Sequence, residues 1–422
     1  MSHAKLVAEA RWRPNEDAES ACVLVERALE LLVLQPSPFC NLDCRYCYLP
    51  NRTDRRRMSM DGLEAALRKV VASRLLGPRL SVVWHAGEPM AVPREWYEEA
   101  FALVARHLAE VHVEHHFQTN AMGMDDAWCR FFRRHDVQIG VSVDGPAFLH
   151  DRHRRTRDGK GTHARVMRSI GRLKAAGIGF HVIAVLTRDS LDHPDAIYDF
   201  FAGLGARQVG FNVEEIELDN PRSTLAQDGT EAALVRFWRR LLQRLRDEPG
   251  RLRIREVESL LRALRSPAFG RLPGNQQNQA GRILSVSWDG AYCFWSPELL
   301  GARHAVHGPM TLGTVHDSSV ALGAEVGLAV IQQEIDDGIA SCRAECRYFD
   351  FCLGGAPVNK LCETGGFAAT ETMACRLAQK VVIDAVLEEL DSSLPPAHAR
   401  GGDHGGKHSI SGIAGATAQR TR

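Results

Sequence analysis

From Leu31 onward the chain switches repeatedly between two hydrophobic periods. Short apolar runs at Leu31–Leu34, Leu80–Trp84, Val111–Thr119, Val137–Val143, Phe180–Leu186 and Gln208–Val213 predict six strands. Between them the spacing becomes helical. Leu63, Ala66, Leu67, Val70, Val71 and Leu75 share a face, with Gly77-Pro78 as the expected stop. Trp96–Glu110 places Phe101, Val104 and Leu108 together. Asp125–Arg134, the Val166–Ile170–Leu173 stripe, Pro194–Leu204 and Glu231–Arg246 supply the remaining helices. Repeated strand–helix units predict parallel strands joined by right-handed crossovers, as an open doubly wound sheet or a barrel-like one. In either case the chemistry belongs at the C-terminal ends of the strands.

Beyond this core, Arg251–Arg265 reads as one more helix, and Pro267–Gly281 as a Pro/Gly/Gln-rich linker. At Ile283 the texture changes to short strands, turns and clustered cysteines, up to Cys375. Ala378–Leu390 is an amphipathic helix. Ser392–Arg422, rich in Gly, His, Ser and Pro, is expected to be disordered. The expected division is an N-terminal segment (1–28), an α/β core (29–246), a helical linker (247–282), a cysteine-rich domain (283–377), a C-terminal helix (378–391) and a tail (392–422).

Charge removes some classes of function. The 52 basic residues balance 52 acidic ones, which argues against a basic nucleic-acid-binding chain and against a highly charged disordered one. Met1–Asn15 is polar without an apolar signal core, and Leu31–Leu34 is far too short to cross a bilayer. No membrane or nucleic-acid partner is expected, and the location expected is cytoplasmic, where thiols stay reduced. The eleven cysteines, odd in number and clustered, then point to metal ligation or redox chemistry rather than disulfides.

Cys40, Cys44 and Cys47 follow the first strand in Cys-Asn-Leu-Asp-Cys-Arg-Tyr-Cys. Three thiolates so close can converge on one metal centre, and the spacing is not that of paired zinc ligands. The Cys-x3-Cys-x2-Cys pattern with an aromatic before the last Cys resembles the signature of the radical S-adenosylmethionine (SAM) superfamily. The resemblance implies a partial (β/α)6 TIM-type barrel. It also implies a [4Fe–4S] cluster held by these cysteines, and SAM on its open iron as the source of a 5′-deoxyadenosyl radical. Further stretches fit in order. Trp84-His85-Ala86-Gly87-Glu88-Pro89 resembles the Gly-Gly-Glu-Pro motif that binds the methionine ammonium, with Ala86 in place of the first Gly. Gln118 and Asn120 end strand three; Ser142 and Asp144 end strand four, with Arg154 after them. The resemblance assigns Tyr46, Ala86, Gly87, Glu88, Pro89, Gln118, Asn120, Ser142, Asp144 and Arg154 to the SAM site.

Cys342-x3-Cys346-x5-Cys352, then Cys375, forms a second set, for which a zinc ribbon is the plain alternative. After a radical SAM core it resembles the SPASM extension with its auxiliary [4Fe–4S] clusters. The pattern departs coherently. Ala356 stands where a further Cys is usual, and Trp295 follows Gly290 after four intervening residues, where another would be. One auxiliary cluster is therefore expected, on Cys342, Cys346, Cys352 and Cys375. Cys129 reads as a small buried apolar residue, Cys293 and Cys362 as spare ligands at most, and Cys22 is left over.

Leu34-Gln35-Pro36, Tyr48-Leu49-Pro50-Asn51-Arg52, Phe117–Asn120, Ser296–Gly301, Asn359-Lys360 and Glu371-Thr372 resemble one subgroup, the cyclophane-forming peptide maturases of the GrrM/OscB (glycine-rich repeat) type. This implies a ribosomally made precursor peptide as substrate, a C–C crosslink between an aromatic ring and a nearby Cβ, and an electron donor of flavodoxin or ferredoxin type. Ring attack leaves an adduct that must lose one electron and one proton. A carboxylate near the substrate is the expected proton acceptor, Glu298 first, then Glu214 and Glu215. The competing readings are a sulfatase-maturing, formylglycine-forming enzyme or a thioether-forming one, and a non-enzymatic iron–sulfur or zinc scaffold.

Overall fold

The computed structural model describes residues 28–393; the expectations for the N-terminal segment, Cys22 and the tail from residue 394 lie outside them. Six parallel strands form the centre: β1 (Leu29–Leu34), β2 (Leu76–Trp84), β3 (His112–Thr119), β4 (Gln138–Ser142), β5 (Phe180–Leu186) and β6 (Val209–Val213). They pair in sequence order, β1 to β6, each crossover carried by helix. The helices are α1 (Met60–Ala72), α2 (Arg94–His107), α3 (Asp126–Arg134), α4 (Ala147–His153), α5 (His163–Ala175), α6 (Pro194–Leu204), α7 (Thr230–Asp247) and α8 (Arg255–Arg265). This is the partial barrel expected, open because β6 and β1 do not pair among the described residues.

Local chemistry explains most boundaries. Ser59 caps α1 through the Gly62 N–H at 3.0 Å, Asp125 caps α3 through Trp128, and Gly205 at φ 80° ends α6. β5 alternates buried Phe180, Val182, Ala184 and Leu186 with half-buried neighbours. Behind β2 and β3, Trp84, Tyr97, Phe117, Trp128, Phe131 and Phe132 pack edge-on or tilted as a buried aromatic cluster. One expected boundary is corrected. α1 stops at Ala72, and Gly77-Pro78 lies inside β2, where the β1–β2 register shifts between Leu29 and Leu31. The two residues read as a helix stop instead mark a bulge at the start of a strand.

The segment after the linker continues the same sheet. β7 (Ile283–Val286) pairs parallel to β1, β8 (Ala291–Phe294) turns back antiparallel, and β11 (Gly313–Thr314) follows it, giving nine strands among the described residues. β9 (Arg303–His304) and β10 (Gly308–Pro309) form a separate small ribbon. α9 (Leu328–Glu345), α10 (Phe349–Cys352), α11 (Pro357–Thr364), a π-helical turn Cys375–Lys380 and α12 (Val381–Ser393) complete the chain. The cysteine-rich part is thereby fixed to β1, whose end leads into Cys40.

Candidate active site

Cys40, Cys44 and Cys47 sit on the loop leaving β1. Cys40 Sγ accepts from Leu42 N at 3.4 Å and from Asn120 Nδ2 at 3.7 Å, while the same Asn120 amide donates to Asn41 Oδ1 at 2.8 Å. Arg52 Nη1 donates to the Cys44 carbonyl at 3.2 Å. The β2 end presses against this loop: Glu88 N donates to Phe39 O at 2.8 Å, and a Cβ on Gly87 would lie 2.4 Å from that same oxygen. Only glycine fits there. Ala86 beside it has φ 69°, a left-handed conformation that costs an alanine about 1–2 kcal/mol. Burial pushes the Cys40 thiol up to about 12 and Cys44 to about 11. A bare thiolate is unfavourable in this loop, and a bound cationic centre would compensate it.

Glu88 is buried and fully engaged. Its Oε1 accepts from Met90 N at 2.9 Å and from Thr119 Oγ1, and its Oε2 from Asn120 N at 2.8 Å. It braces β2 against β3. Across β3 and β4, Gln118 Nε2 donates to Ser142 Oγ at 2.9 Å, over a Gly140 that leaves room for it. Asp144 accepts both Arg154 Nε bonds (3.0 and 3.1 Å), the Val185 N–H at 3.0 Å and the Tyr46 hydroxyl. Burial opposes its charge, but Arg154 and His150 hold the Asp144 carboxyl below its usual range. Arg154 in turn lies 5.4 Å from the Tyr46 ring. A buried Tyr–Asp–Arg clasp thus sits against the cysteine loop.

The second cysteines converge from three elements. Cys342 is in the last turn of α9, Cys346 is its C-cap, Cys352 ends α10, and Cys375 opens the π-helical turn. Each of Cys352 and Cys375 feels Cys346 electrostatically, and Cys375 is pushed up to about 11, mainly by burial. Lys360 Nζ lies 3.6 Å from Cys342 Sγ. After Cys352, Leu353, Gly354 and Gly355 are all left-handed (φ 54°, 94° and 73°). The linker holds this turn: Asn275 Nδ2 bonds the Cys352 and Gly355 carbonyls at 2.9 and 3.0 Å, and Asn278 Nδ2 bonds Leu353 O at 2.8 Å. A stretch that reads as a passive linker therefore shapes the cysteine loop.

These four cysteines line a cavity of about 810 Å³ that reaches the C-terminal end of β6. Glu215, Glu217 and Glu298 face the same space, with Asn359 and Lys360. Burial raises Glu215 to about 6; it and Glu217 are hydrogen-bonded, and burial with the Glu215 charge drives Glu217 further up. Burial also raises Glu298. Tyr48, next to Cys47, feels Glu298 and Glu217, which links the first cysteine loop to this cavity. The Asn359 side chain adjoins the Glu215 carboxyl and opposes its upward shift.

Of the expected proton acceptors, the structure brings Glu298 and Glu215 to the cavity and not Glu214. The Glu214 carboxylate accepts from Thr224 N at 2.8 Å and from the Thr224 hydroxyl, bracing the loop after β6. Glu217 was missed; its signal was its place two residues beyond Glu215 at a strand end. Trp295 is fully buried at φ 71° with its Nε1 on Gln332 at 2.9 Å, and Ala356 caps α11. Cys293 donates to Ser296 O at 3.3 Å, Cys362 lies beside Glu217, and Cys129 is buried in α3.

The donor sets suit iron–sulfur clusters better than lone ions. Among the described residues, the group of three donors packed within 4.8 Å is His304, His307 and Glu334, not either cysteine set. That group is a hydrogen-bonded clasp. His304 Nδ1 accepts from Val306 N and His307 N at 3.1 and 3.2 Å, which leaves its proton on the Nε2 facing Glu334. No helix among the described residues is long and apolar enough to cross a membrane.

Comparison with known proteins agrees with this geometry. Residues 34–201 match the radical SAM superfamily profile. The Synechocystis protein sll1766 is 38% identical over 86% of this chain and 92% of its own length. A serine-type anaerobic sulfatase-maturating enzyme from Klebsiella aerogenes is 30% identical over 80% of this chain and 83% of its own. Among solved structures, anSMEcpe with bound AdoMet superposes with a TM-score of 0.69 at 20% identity, over 86% of this chain and 98% of that one. Streptococcus suis SuiB bound to the precursor peptide SuiA gives 0.61 at 16% identity, over 85% and 78%. These two show a shared fold. The chain belongs to the radical SAM superfamily, enzymes that use SAM and a [4Fe–4S] cluster, with anaerobic sulfatase-maturating enzymes among its relatives.

Proposed function

We propose that the chain modifies a ribosomally made precursor peptide by joining an aromatic ring to a nearby Cβ, in the cytosol. Cys40, Cys44 and Cys47 would hold the SAM cluster, and Cys342, Cys346, Cys352 and Cys375 one auxiliary cluster. When bound, these groups supply a 5′-deoxyadenosyl radical that takes hydrogen from carbon, and a one-electron acceptor. The residues of this chain do the rest. The Tyr46–Asp144–Arg154 clasp and the Gly87–Glu88 turn fix the wall of the SAM site. The cavity of about 810 Å³ admits a peptide segment between β6 and the auxiliary cysteines. Glu298, with the Glu215–Glu217 pair behind it, receives the proton lost when the ring regains aromaticity.

The observation that carries this reading is that the cavity walls combine carboxylates with four cysteines, so proton and electron can leave the same adduct. Sulfatase-type oxidation is the second reading, favoured by the Klebsiella relative. Against it stand Trp295 and Ala356, which leave a first auxiliary cluster without ligands. Co-expression with candidate aromatic-containing precursor peptides, followed by tandem mass spectrometry, separates the two. The crosslink gives loss of two hydrogens and no backbone fragments within the ring. A hydrazine-reactive aldehyde, or a link through sulfur, would refute it.

A further inference from the structure

The outer side of the first cysteine loop has a charge pattern that the peptide chemistry does not use. Segments 40–57 and 151–161 together carry ten Arg and Lys against four Asp, in a chain whose 52 basic and 52 acidic residues balance overall. They are built against each other. Leu42 bridges Thr156, Asp43 N donates to Arg155 O at 2.8 Å, and Arg45 N to His153 O at 3.1 Å. Arg157 reaches from the surface to the Cys40 carbonyl through Nε (3.0 Å) and Nη2 (2.9 Å), as Arg52 does to that of Cys44. Arg55 and Arg157 flank the Phe39 ring, 4.1 and 5.9 Å from its centroid, one residue before Cys40. Arg45, Arg55, Arg57 and Arg157 are exposed and have no carboxylate partner among the described residues. None of them lines the carboxylate-rich cavity.

An uncompensated cationic rim steers an acidic partner and weakens with salt. Its position beside the Cys40 carbonyl, which Arg157 bonds, suits a partner that must come close to the cluster without entering the substrate space. We propose that Arg45, Arg55, Arg57 and Arg157 form the docking surface for an acidic one-electron carrier protein. The carrier loses one electron and the cluster held by Cys40, Cys44 and Cys47 gains it; no bond or proton changes place. The inference rests on the superfamily assignment and is independent of what is done to the peptide.

The test uses the reconstituted holoenzyme, a purified flavodoxin and a purified ferredoxin. Arg55→Glu/Arg57→Glu should weaken binding of the carrier by at least about tenfold at low ionic strength and flatten its salt dependence. Deoxyadenosine formation driven by dithionite should stay within about twofold, because the small reductant needs no docking surface. The neutral pair Arg55→Gln/Arg57→Gln should fall between, and unchanged iron content and Tm certify the fold. The proposal is overturned if neither carrier shows salt-sensitive binding to the wild type, or if the reversal leaves carrier binding unchanged. It is also overturned if dithionite-driven turnover falls equally, or if the loss is confined to binding of the peptide.

Discussion

The loop carrying Cys40, Cys44 and Cys47 is closed in by protein donors, whereas Cys342, Cys346, Cys352 and Cys375 open onto a cavity of about 810 Å³. Around the first set the side chains at the strand ends hold fixed partners: Asn120 on Cys40 and Asn41, Glu88 on three donors, Asp144 on Arg154 and Tyr46. Around the second, three carboxyl groups crowd together with raised affinity for protons. The contrast separates two tasks. A site that repeats one reaction on one small molecule can be preorganised, while a site that receives a peptide keeps polar groups in reserve for it.

Substitution of a cysteine from each set should break this contrast most strongly. Cys44→Ala should abolish deoxyadenosine formation altogether. Cys352→Ala should leave that cleavage running while the modified peptide disappears, as measured by chromatography and mass spectrometry on one reaction. Equal loss of both activities would merge the two tasks. Next, Glu298→Gln should lower crosslinked product by about 10²–10⁴-fold with deoxyadenosine still released. The same change at Glu214 should instead lower Tm, since its carboxylate braces Thr224.

Smaller effects test the rigid half. Asp144→Asn strands the buried Arg154 charge and should cost about 3–5 kcal/mol in chemical denaturation. Ala86→Gly, which removes a left-handed alanine, should stabilise by about 1 kcal/mol, while Gly87→Ala next to it should weaken both fold and SAM binding. The weakest signal is one of pH. The Glu215 carboxyl rises from 4.5 to about 6 on folding, so its contribution is complete below about pH 4.5 and is lost as pH climbs through 6. Relative to Glu215→Gln, the wild-type Tm should therefore decline across that interval.

The sequence made the first half far more legible than the second. The β/α alternation, the cysteine spacing and the strand-end motifs are local signals, and they led to the correct strands and to the loops that meet. Gly77-Pro78 misled because the same two residues can end a helix or bend the start of a strand. The cavity was harder to see. Glu217, Asn275 and Asn278 are ordinary polar residues in loops, and their roles exist only once α8, the linker and α10 are packed together. Glu214 and Glu215 look alike in sequence, and a strand end alone does not say which of two adjacent side chains turns inward.

The central claim is that the second cysteine region holds one cluster, because Trp295 and Ala356 have replaced ligands of another. Iron and sulfide analysis of anaerobically reconstituted protein tests it directly. The expected content is about eight irons per chain, falling to about four in Cys342→Ala/Cys346→Ala/Cys352→Ala. A fully reconstituted wild type with about twelve would contradict the account.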